Sequence, residues 1–188
     1  MEVCKKELKR QFKAAVCVAG LLYLLFDRSR VGGWVQRVYS ELAPGGFTVT
    51  YYADTDFRHP LAKRTEQRVA RDYGEGSPAW GVPGNRYTAR WEGWLHVPET
   101  ADYLFFLQTQ GGARFRIEND LVIDHWESSS WWHGKHAKRG LSNGVYKVVI
   151  EHDKREGPGA IRLRWAGGPV SDNTAFGVPY VRKERKYD

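Results

Sequence analysis

Residues 160–165 read Ala-Ile-Arg-Leu-Arg-Trp, and they give a clear signal of the fold. Apolar and charged residues alternate along it. In an extended chain, Ile161, Leu163 and Trp165 therefore share one face, while Arg162 and Arg164 share the other. The stretch predicts a β-strand with one buried face and one face in water.

Other segments of the same character lie on either side of it. They are rich in aromatic and β-branched residues and are separated by Gly, Pro and Asp, which is typical of strands between turns. Residues 113–123 also show a hairpin pattern, with Glu118-Asn119-Asp120 as the turn. The predicted strands are residues 47–52, 87–97, 103–107, 113–117, 121–123, 145–151 and 160–165.

Several short antiparallel strands at this spacing predict an all-β sandwich. One stretch does not fit the pattern. Residues 62–72 are polar and show little periodicity, so we expect a loop with a helical turn there.

The order of these segments also carries a family resemblance. Residues 90–95, Arg-Trp-Glu-Gly-Trp-Leu, follow the pattern Arg-Trp-x-Gly-x-Leu, and residues 98–105 form a turn into a Tyr-x-Phe strand. Together with the hairpin of residues 112–126, these segments resemble the PA14 domain family, a β-sandwich module of bacterial toxins, glycosidases and fungal adhesins. The resemblance runs from about Phe47 to Tyr180 and implies an antiparallel PA14-like β-sandwich.

The resemblance also raises the question of calcium. Sugar-binding members of the family hold a calcium ion with two adjacent aspartates, at positions that are Gln110 and Gly111 here. Calcium prefers several oxygen ligands, usually including carboxylates, whereas this pair offers one neutral side-chain oxygen. We therefore expect no metal and no cofactor. The remaining candidates, Asp54, Asp56, Asp120 and Asp124, lie on different elements and are expected in turns and on the surface.

The N-terminal part predicts a membrane anchor. Residues 14–26 are uncharged and apolar, and five basic residues precede them. At about 1.5 Å per residue the run covers only ~20 Å as a helix, short of a bilayer core of ~30 Å. No small-residue cleavage site follows, so an uncleaved signal anchor is favoured over a signal peptide. The residues assigned to the anchor are Lys13, Leu21, Leu22, Leu24, Leu25, Phe26 and Trp34.

The positive-inside rule places the N-terminus in the cytoplasm and the folded part in the periplasm or outside the cell. The predicted organisation is a basic cytoplasmic segment (1–13), a transmembrane anchor with its juxtamembrane part (14–35), a linker (36–46), a PA14-like sandwich (47–180) and a basic tail (181–188). Cys4 and Cys17 are the two cysteines, so the sandwich has no internal disulfide.

The net charge of +7 does not indicate nucleic-acid binding. Residues 1–46 carry eight basic and four acidic side chains, while residues 47–188 carry twenty-one and eighteen. More than half of the excess belongs to the anchor region, where membrane topology explains it.

The eight tryptophans invite a carbohydrate interpretation, but several have a simpler explanation. Trp91 and Trp165 fall at inward strand positions, and Trp126 also matches a family strand position, so core packing is favoured for them. Trp94 stays open. Trp131 and Trp132 differ, because two adjacent residues cannot both point inward from a strand. We predict that at least one of their rings is exposed, and Trp80 on another loop raises the same question.

The candidate contact surface therefore comprises Trp80, Trp131, Trp132, His133 and His136. The spacing His133-x-x-His136 could bind a metal, but solvated histidines on a loop are favoured. No nucleophile elbow, phosphate loop or dinucleotide fingerprint is present, so we expect no enzyme and no catalytic residues.

Two hypotheses remain. The favoured one is a membrane-anchored, non-catalytic structural subunit whose sandwich contacts other subunits of a membrane complex. The alternative is a surface-anchored module that binds carbohydrate or peptidoglycan through Trp80, Trp131 and Trp132.

Overall fold

A computed structural model describes residues 46–127 and 131–185 of the chain, and these residues form twelve β-strands. The strands are β1 (Phe47–Tyr52), β2 (Pro60–Glu66), β3 (Ala70–Gly74), β4 (Tyr87–Val97), β5 (Ala101–Gln110), β6 (Gly112–Ile117), β7 (Asp120–His125), β8 (His133–Leu141), β9 (Gly144–Lys154), β10 (Gly159–Gly167), β11 (Val170–Ala175) and β12 (Val181–Arg182).

The strands form two antiparallel sheets. The larger sheet has the order β2-β1-β4-β9-β6-β7, with the short β12 also paired to β4. The smaller sheet has the order β11-β10-β5-β8, with β3 paired to the other end of β10. The prediction of an all-β antiparallel sandwich is therefore confirmed.

The core lies between the sheets because side chains alternate between inward and outward along the middle of the central strands. Every second residue of β4 and β10 points inward, so Trp91 and Trp165 are 0% exposed, as predicted. Around Trp165 the core is mainly aromatic: Phe176 meets its ring edge-on at 5.7 Å, and Phe105 lies 5.1 Å from Phe115 on the opposite sheet. Interlocking rings of this kind join the two layers.

A buried carboxylate, Glu66 at the end of β2, is part of the same interior. Its two oxygens accept hydrogen bonds from the indole of Trp91 (2.9 Å) and the hydroxyl of Tyr51 (3.2 Å), and it pairs with Arg71 (2.9 Å) and Arg64. Burial alone would raise the pKa of Glu66, but the two guanidiniums and the hydrogen bonds lower it below its usual value. Glu66 therefore stays ionised inside the sandwich.

The prediction of a loop at residues 62–72 was wrong, because β2 and β3 occupy most of it. Within the described residues, β2 pairs with β1 alone and β3 pairs with β10 alone. Edge strands are partly solvated on both faces, so polar residues replace the usual alternation. The inward positions of β2 are taken by Arg64 and Glu66, which satisfy each other.

The segment containing His133 and His136 was also predicted to be a loop, and it is the strand β8. In the part of the chain that the structure describes, β8 pairs with β5 alone, and most of its side chains are exposed. Its sequence, HGKHAKRGL, therefore carries no apolar periodicity.

The first and the last residues of the sandwich lie next to each other. The backbone amide of Gly46 donates a 2.8 Å hydrogen bond to the carbonyl of Val181 in β12. β1 thus begins beside the point where the last strand ends.

The predicted basic segment, anchor and most of the linker, including the anchor residues Lys13 to Trp34, lie outside the described residues. Within residues 46–127 and 131–185, no helix is long and apolar enough to cross a membrane.

Candidate functional site

The outer face of the smaller sheet carries the candidate binding surface. Because inward and outward positions alternate, β5 turns Leu104, Phe106 and Gln108 outward, and β10 turns out Arg162 and Arg164. The strand register sets these side chains in two rows. Arg164 lies opposite Phe106, which lies opposite His136 of β8; Arg162 lies opposite Gln108, which lies opposite Gly134.

Trp132 lies against this face. The guanidinium carbon of Arg162 is 4.8 Å from the centre of the Trp132 ring, within the range of a cation–π contact. Gly134, opposite Gln108, adds no side chain to this row. Trp132 remains 44% exposed, so its ring is held in place but is still accessible to a ligand.

An open cleft of about 600 Å³ runs along the same face. Within it, Arg164 donates a 2.9 Å hydrogen bond to the side-chain oxygen of Asn173, and the rings of Phe106 and His136 lie 6.3 Å apart. The cleft thus combines aromatic rings with planar hydrogen-bonding groups. Its lining includes Leu104, Phe106, Gln108, Gly134, Lys135, His136, Arg164, Asp172 and Asn173.

The structure places four of the five predicted contact residues in or directly before β8 and the fifth on another loop. Trp131 is 78% exposed and directly precedes Trp132, and both residues come immediately before β8, which contains His133 and His136. The expectation that at least one of the two adjacent rings is exposed is confirmed. Trp80 lies instead on the loop that joins β3 to β4. Strand β3 pairs with β10, so β10 and β5 separate it from β8 in the smaller sheet.

The two histidines do not form a chelate. His133 is opposite the inward-facing Thr109, whereas His136 is opposite the outward-facing Phe106, so the two rings leave opposite faces of β8. His133 packs near His125 with 5.2 Å between ring centres. Burial lowers the pKa of His125, and the neighbouring Lys135 and His133 lower it further. Among the described residues, no group of three or more potential ligands could hold a metal.

The position of the family's calcium aspartates is occupied by protein. Gly111 has a backbone φ of 102°, and a Cβ atom added there would lie 2.5 Å from the carbonyl oxygen of Asp153. The ring of the fully buried His152 contacts the carbonyl of Gln110 at 2.8 Å. Burial lowers the pKa of His152 to about 4, so a neutral imidazole fills this space. The residues present do not fit a calcium ion held by carboxylates at this pair.

A second surface was not predicted from the sequence. On the outer face of the larger sheet, Arg90, Glu151, Arg114 and Asp124 form a row across four strands, with alternating charge. The guanidinium of Arg114 stacks on Trp126 at 4.4 Å. The core prediction for Trp126 was therefore wrong, because this half-buried ring covers the outer face of the sheet.

Trp94, which the sequence left open, also faces outward. It is half-buried and lies under the guanidinium of Arg185, at 5.4 Å. Position along the strand is the signal that could have placed Trp94: Trp91 and Leu95 point inward, so Trp94 between them points outward.

The described residues thus form an antiparallel β-sandwich of two sheets. The PA14 domain model matches residues 42–174, most of the chain, and the chain belongs to the PA14 domain family. This bears out the resemblance given by the order of the strand motifs.

Similar proteins include anti-sigma factors. The chain is 25% identical over 122 residues to the anti-sigma-I factor RsgI3 of Acetivibrio thermocellus, a match covering 64% of this chain and 19% of that protein. An anti-sigma factor domain-containing protein from Clostridium clariflavum has a similar structure, with a TM-score of 0.67, 23% identity and coverage of 78% of this chain and 51% of that one. The chain thus spans about a fifth to a half of these relatives.

A solved PA14 sugar-binding domain from an RTX adhesin has the same fold. Its TM-score is 0.63 at 14% identity, and the match covers 76% of this chain and all of that domain. At this identity the likeness shows the fold alone.

Proposed function

We propose that this chain is a membrane-tethered, non-catalytic module that binds glycans on the outer face of its smaller sheet. The observation that carries the proposal is the stack of Trp132 on Arg162 beside an open cleft of hydrogen-bonding side chains. An exposed, fixed indole offers a flat apolar surface to a sugar ring. Gln108 and Asn173, at the same face, offer amide groups for its hydroxyls.

The family membership supports this proposal. Domains of similar structure include a PA14 domain described as sugar-binding and an epithelial adhesin domain from Candida glabrata in complex with a galactose-containing disaccharide. In this chain the position of the family's calcium aspartates does not suit a calcium-dependent sugar site, since Gly111 leaves no room for a carboxylate. The proposed site therefore lies on a sheet face and works without metal.

The tether is proposed from residues 14–35, whose sequence predicts an anchor with the sandwich on the outer side of the membrane. A tethered module of this kind would bring its host protein or membrane to a polysaccharide surface. Resistance of the full chain to carbonate extraction tests the tether.

A glycan and polysaccharide array probed with the full chain in detergent tests the binding, with and without EDTA. Binding should persist in EDTA. Trp132→Ala should weaken it about tenfold, because burying an aromatic ring contributes roughly 1.5 kcal/mol. Trp80→Ala is the matched control and should bind like the parent chain. An array without binding, or equal losses in the two variants, would reject the proposed site.

Protein contact is a second candidate, favoured by a different observation. Trp131 is 78% exposed and lies two residues before β8, an edge strand whose pairing, in the described residues, is to β5 alone. An exposed aromatic residue beside an unpaired strand edge suits a protein interface. Crosslinking in native membranes, read by mass spectrometry, should link Lys135 or Lys138 of β8 to a partner; a lone monomer after detergent extraction would contradict this candidate.

A further inference from the structure

The edge of the smaller sheet at β8 is more regular than the other sheet edges. Of the four strands that end the two sheets in the described residues, β2, β7 and β11 each have a register shift against their neighbour. β8 pairs with β5 at nine consecutive positions, from His133 to Leu141, without a shift. Because bulges at an edge interrupt pairing with further strands, β8 is the edge that a further strand fits best.

The backbone of β8 is also accessible to another chain. Gly134 and Gly140 are exposed although they have no side chains, so main-chain atoms reach the solvent at these two positions. β8 contains no proline, which would remove a hydrogen-bond donor. A strand with these properties can accept an extended peptide by β-augmentation, in which main-chain hydrogen bonds provide the affinity.

The side chains of β8 are basic on both faces. Residues 128–150 contain no Asp or Glu. Lys135 and Arg139 lie in the inward row of β8, opposite buried residues of β5, and His136 and Lys138 lie in the outward row. All four side chains belong to exposed residues. The edge therefore attracts negative charge.

An acidic residue of the chain neutralises one of these cations. Asp102 pairs with Lys138 at 2.7 Å. The amine of Lys135 donates instead to the backbone carbonyl of Asp124, a neutral acceptor, at 2.7 Å. Among the described residues, neither Lys135 nor Arg139 forms an ion pair with a carboxylate, so the inward row of β8 has two positive charges to offer to a partner.

The charges of the inward row select the kind of strand that can bind. Inward-pointing charges at a sheet edge normally keep other strands away, because a neutral strand would cover them without pairing them. A strand with carboxylates opposite Lys135 and Arg139 pairs them, and opposite charges at facing positions stabilise neighbouring strands. Since side chains alternate between the faces of a strand, acidic residues at every second position reach both cations.

We propose that β8 binds an extended acidic segment of a partner protein, which adds to the smaller sheet as a further strand and carries Asp or Glu at alternate positions. This inference rests on the protein contact put forward above as the second candidate. It is independent of the glycan site and of the tether.

Peptide binding to the full chain in detergent, followed by fluorescence anisotropy, tests the partner's chemistry. The probe is a labelled peptide of 9 residues, the length of β8, that alternates valine with glutamate. A peptide with glutamine in place of glutamate should bind about tenfold more weakly, because two cross-strand ion pairs each contribute a factor of about two to five. A glutamate peptide with every amide N-methylated should not bind, because it cannot donate hydrogen bonds to a strand.

Two double variants test the location. Lys135→Gln with Arg139→Gln should weaken binding of the glutamate peptide about tenfold and leave binding of the glutamine peptide unchanged. Lys63→Gln with Arg68→Gln is the matched control, which removes two exposed charges in and beside the edge strand β2 and should have no effect. Circular dichroism confirms that both variants are folded.

Hydrogen–deuterium exchange reports on the backbone. Bound glutamate peptide should slow amide exchange in residues 133–141, because the outer edge of β8 then becomes hydrogen-bonded. The matching segment of the other sheet edge, residues 60–66 of β2, should exchange at an unchanged rate.

The outcomes separate this inference from the broader protein contact. Equal binding of the glutamate peptide and its N-methylated form, or unchanged exchange in β8, means charge attraction without strand addition and overturns the inference. Equal losses in the two double variants overturn the placement at β8. If no peptide binds although Lys135 or Lys138 crosslinks to a partner in native membranes, the protein contact stands and an acidic strand is not what binds there.

Discussion

The indole nitrogen of Trp91 donates a 2.9 Å hydrogen bond to Oε2 of Glu66, so the central tryptophan of the larger sheet is bonded to a carboxylate inside the sandwich. Glu66 lies on an edge strand of that sheet, and its partner Arg71 lies on β3 of the other sheet. One ionised side chain thus joins both layers.

We predict that Glu66→Ala lowers the free energy of unfolding by about 3 kcal/mol, because it leaves an indole and two partly buried guanidiniums without their acceptor. Urea unfolding followed by far-UV circular dichroism measures this. Glu92→Ala is the matched control, since Glu92 pairs with Lys147 at 3.7 Å on the surface; its removal should cost less than about 0.5 kcal/mol. Equal effects of the two substitutions would contradict the role of Glu66.

His152 should make the stability depend on pH. Burial lowers its pKa in the folded state to about 4, from 6.5 in the unfolded chain. The unfolded chain therefore takes up a proton first as the pH falls, and stability is fully present above pH 6.5 and is lost towards pH 4. The loss should be about 3 kcal/mol over this range.

Replacing His152 by Gln should remove most of this pH dependence between pH 6.5 and 4.5. Urea unfolding at half-unit pH steps, with parent and variant side by side, tests the prediction. If the unfolding free energy changes with pH equally in both proteins, a group other than His152 binds the proton.

Gly111→Asp should not create a calcium site, although it restores one aspartate of the family pair. The backbone φ of 102° disfavours a side chain, and the new Cβ would lie 2.5 Å from the carbonyl of Asp153. We expect a loss of about 3 kcal/mol and no calcium-dependent rise in Tm. Gln110→Asp, at a half-buried neighbour, is the control and should cost far less. A calcium-induced rise in Tm of Gly111→Asp would show that the loop can rearrange.

Arg162→Ala should lower glycan affinity about fivefold, since it removes the cation–π contact that positions Trp132 and leaves the ring free to rotate. Unfolding free energy should change by less than about 0.5 kcal/mol, because Arg162 is half-exposed on the outer face. Titration calorimetry with the best array glycan gives the affinity. Unchanged binding would mean that Trp132 needs no support from β10.

The central strands could be predicted from the sequence because their two faces meet different environments. Ile161, Leu163 and Trp165 face the core and the two arginines between them face outward, so apolar and charged residues alternate in the sequence. The edge strands β2, β3 and β8 could not, because a strand solvated on both faces has no such contrast.

The candidate site was partly predictable for a similar reason. The adjacent pair Trp131 and Trp132 indicated exposure by geometry alone, and the structure confirms it. Which groups accompany Trp132 depends on register: Arg162 is thirty positions away along the chain and meets it because β10, β5 and β8 are neighbours. Trp126 was misassigned because a family position does not reveal the stack on Arg114.

The hydrogen bond between Gly46 and Val181 holds the entry and the exit of the sandwich next to each other. Since its first and last strands end side by side, the unit can be spliced into a surface turn of a larger polypeptide without forcing the host segments apart. Domains with adjacent termini tolerate such insertion, and the matched region occupies a fifth of one relative and half of another.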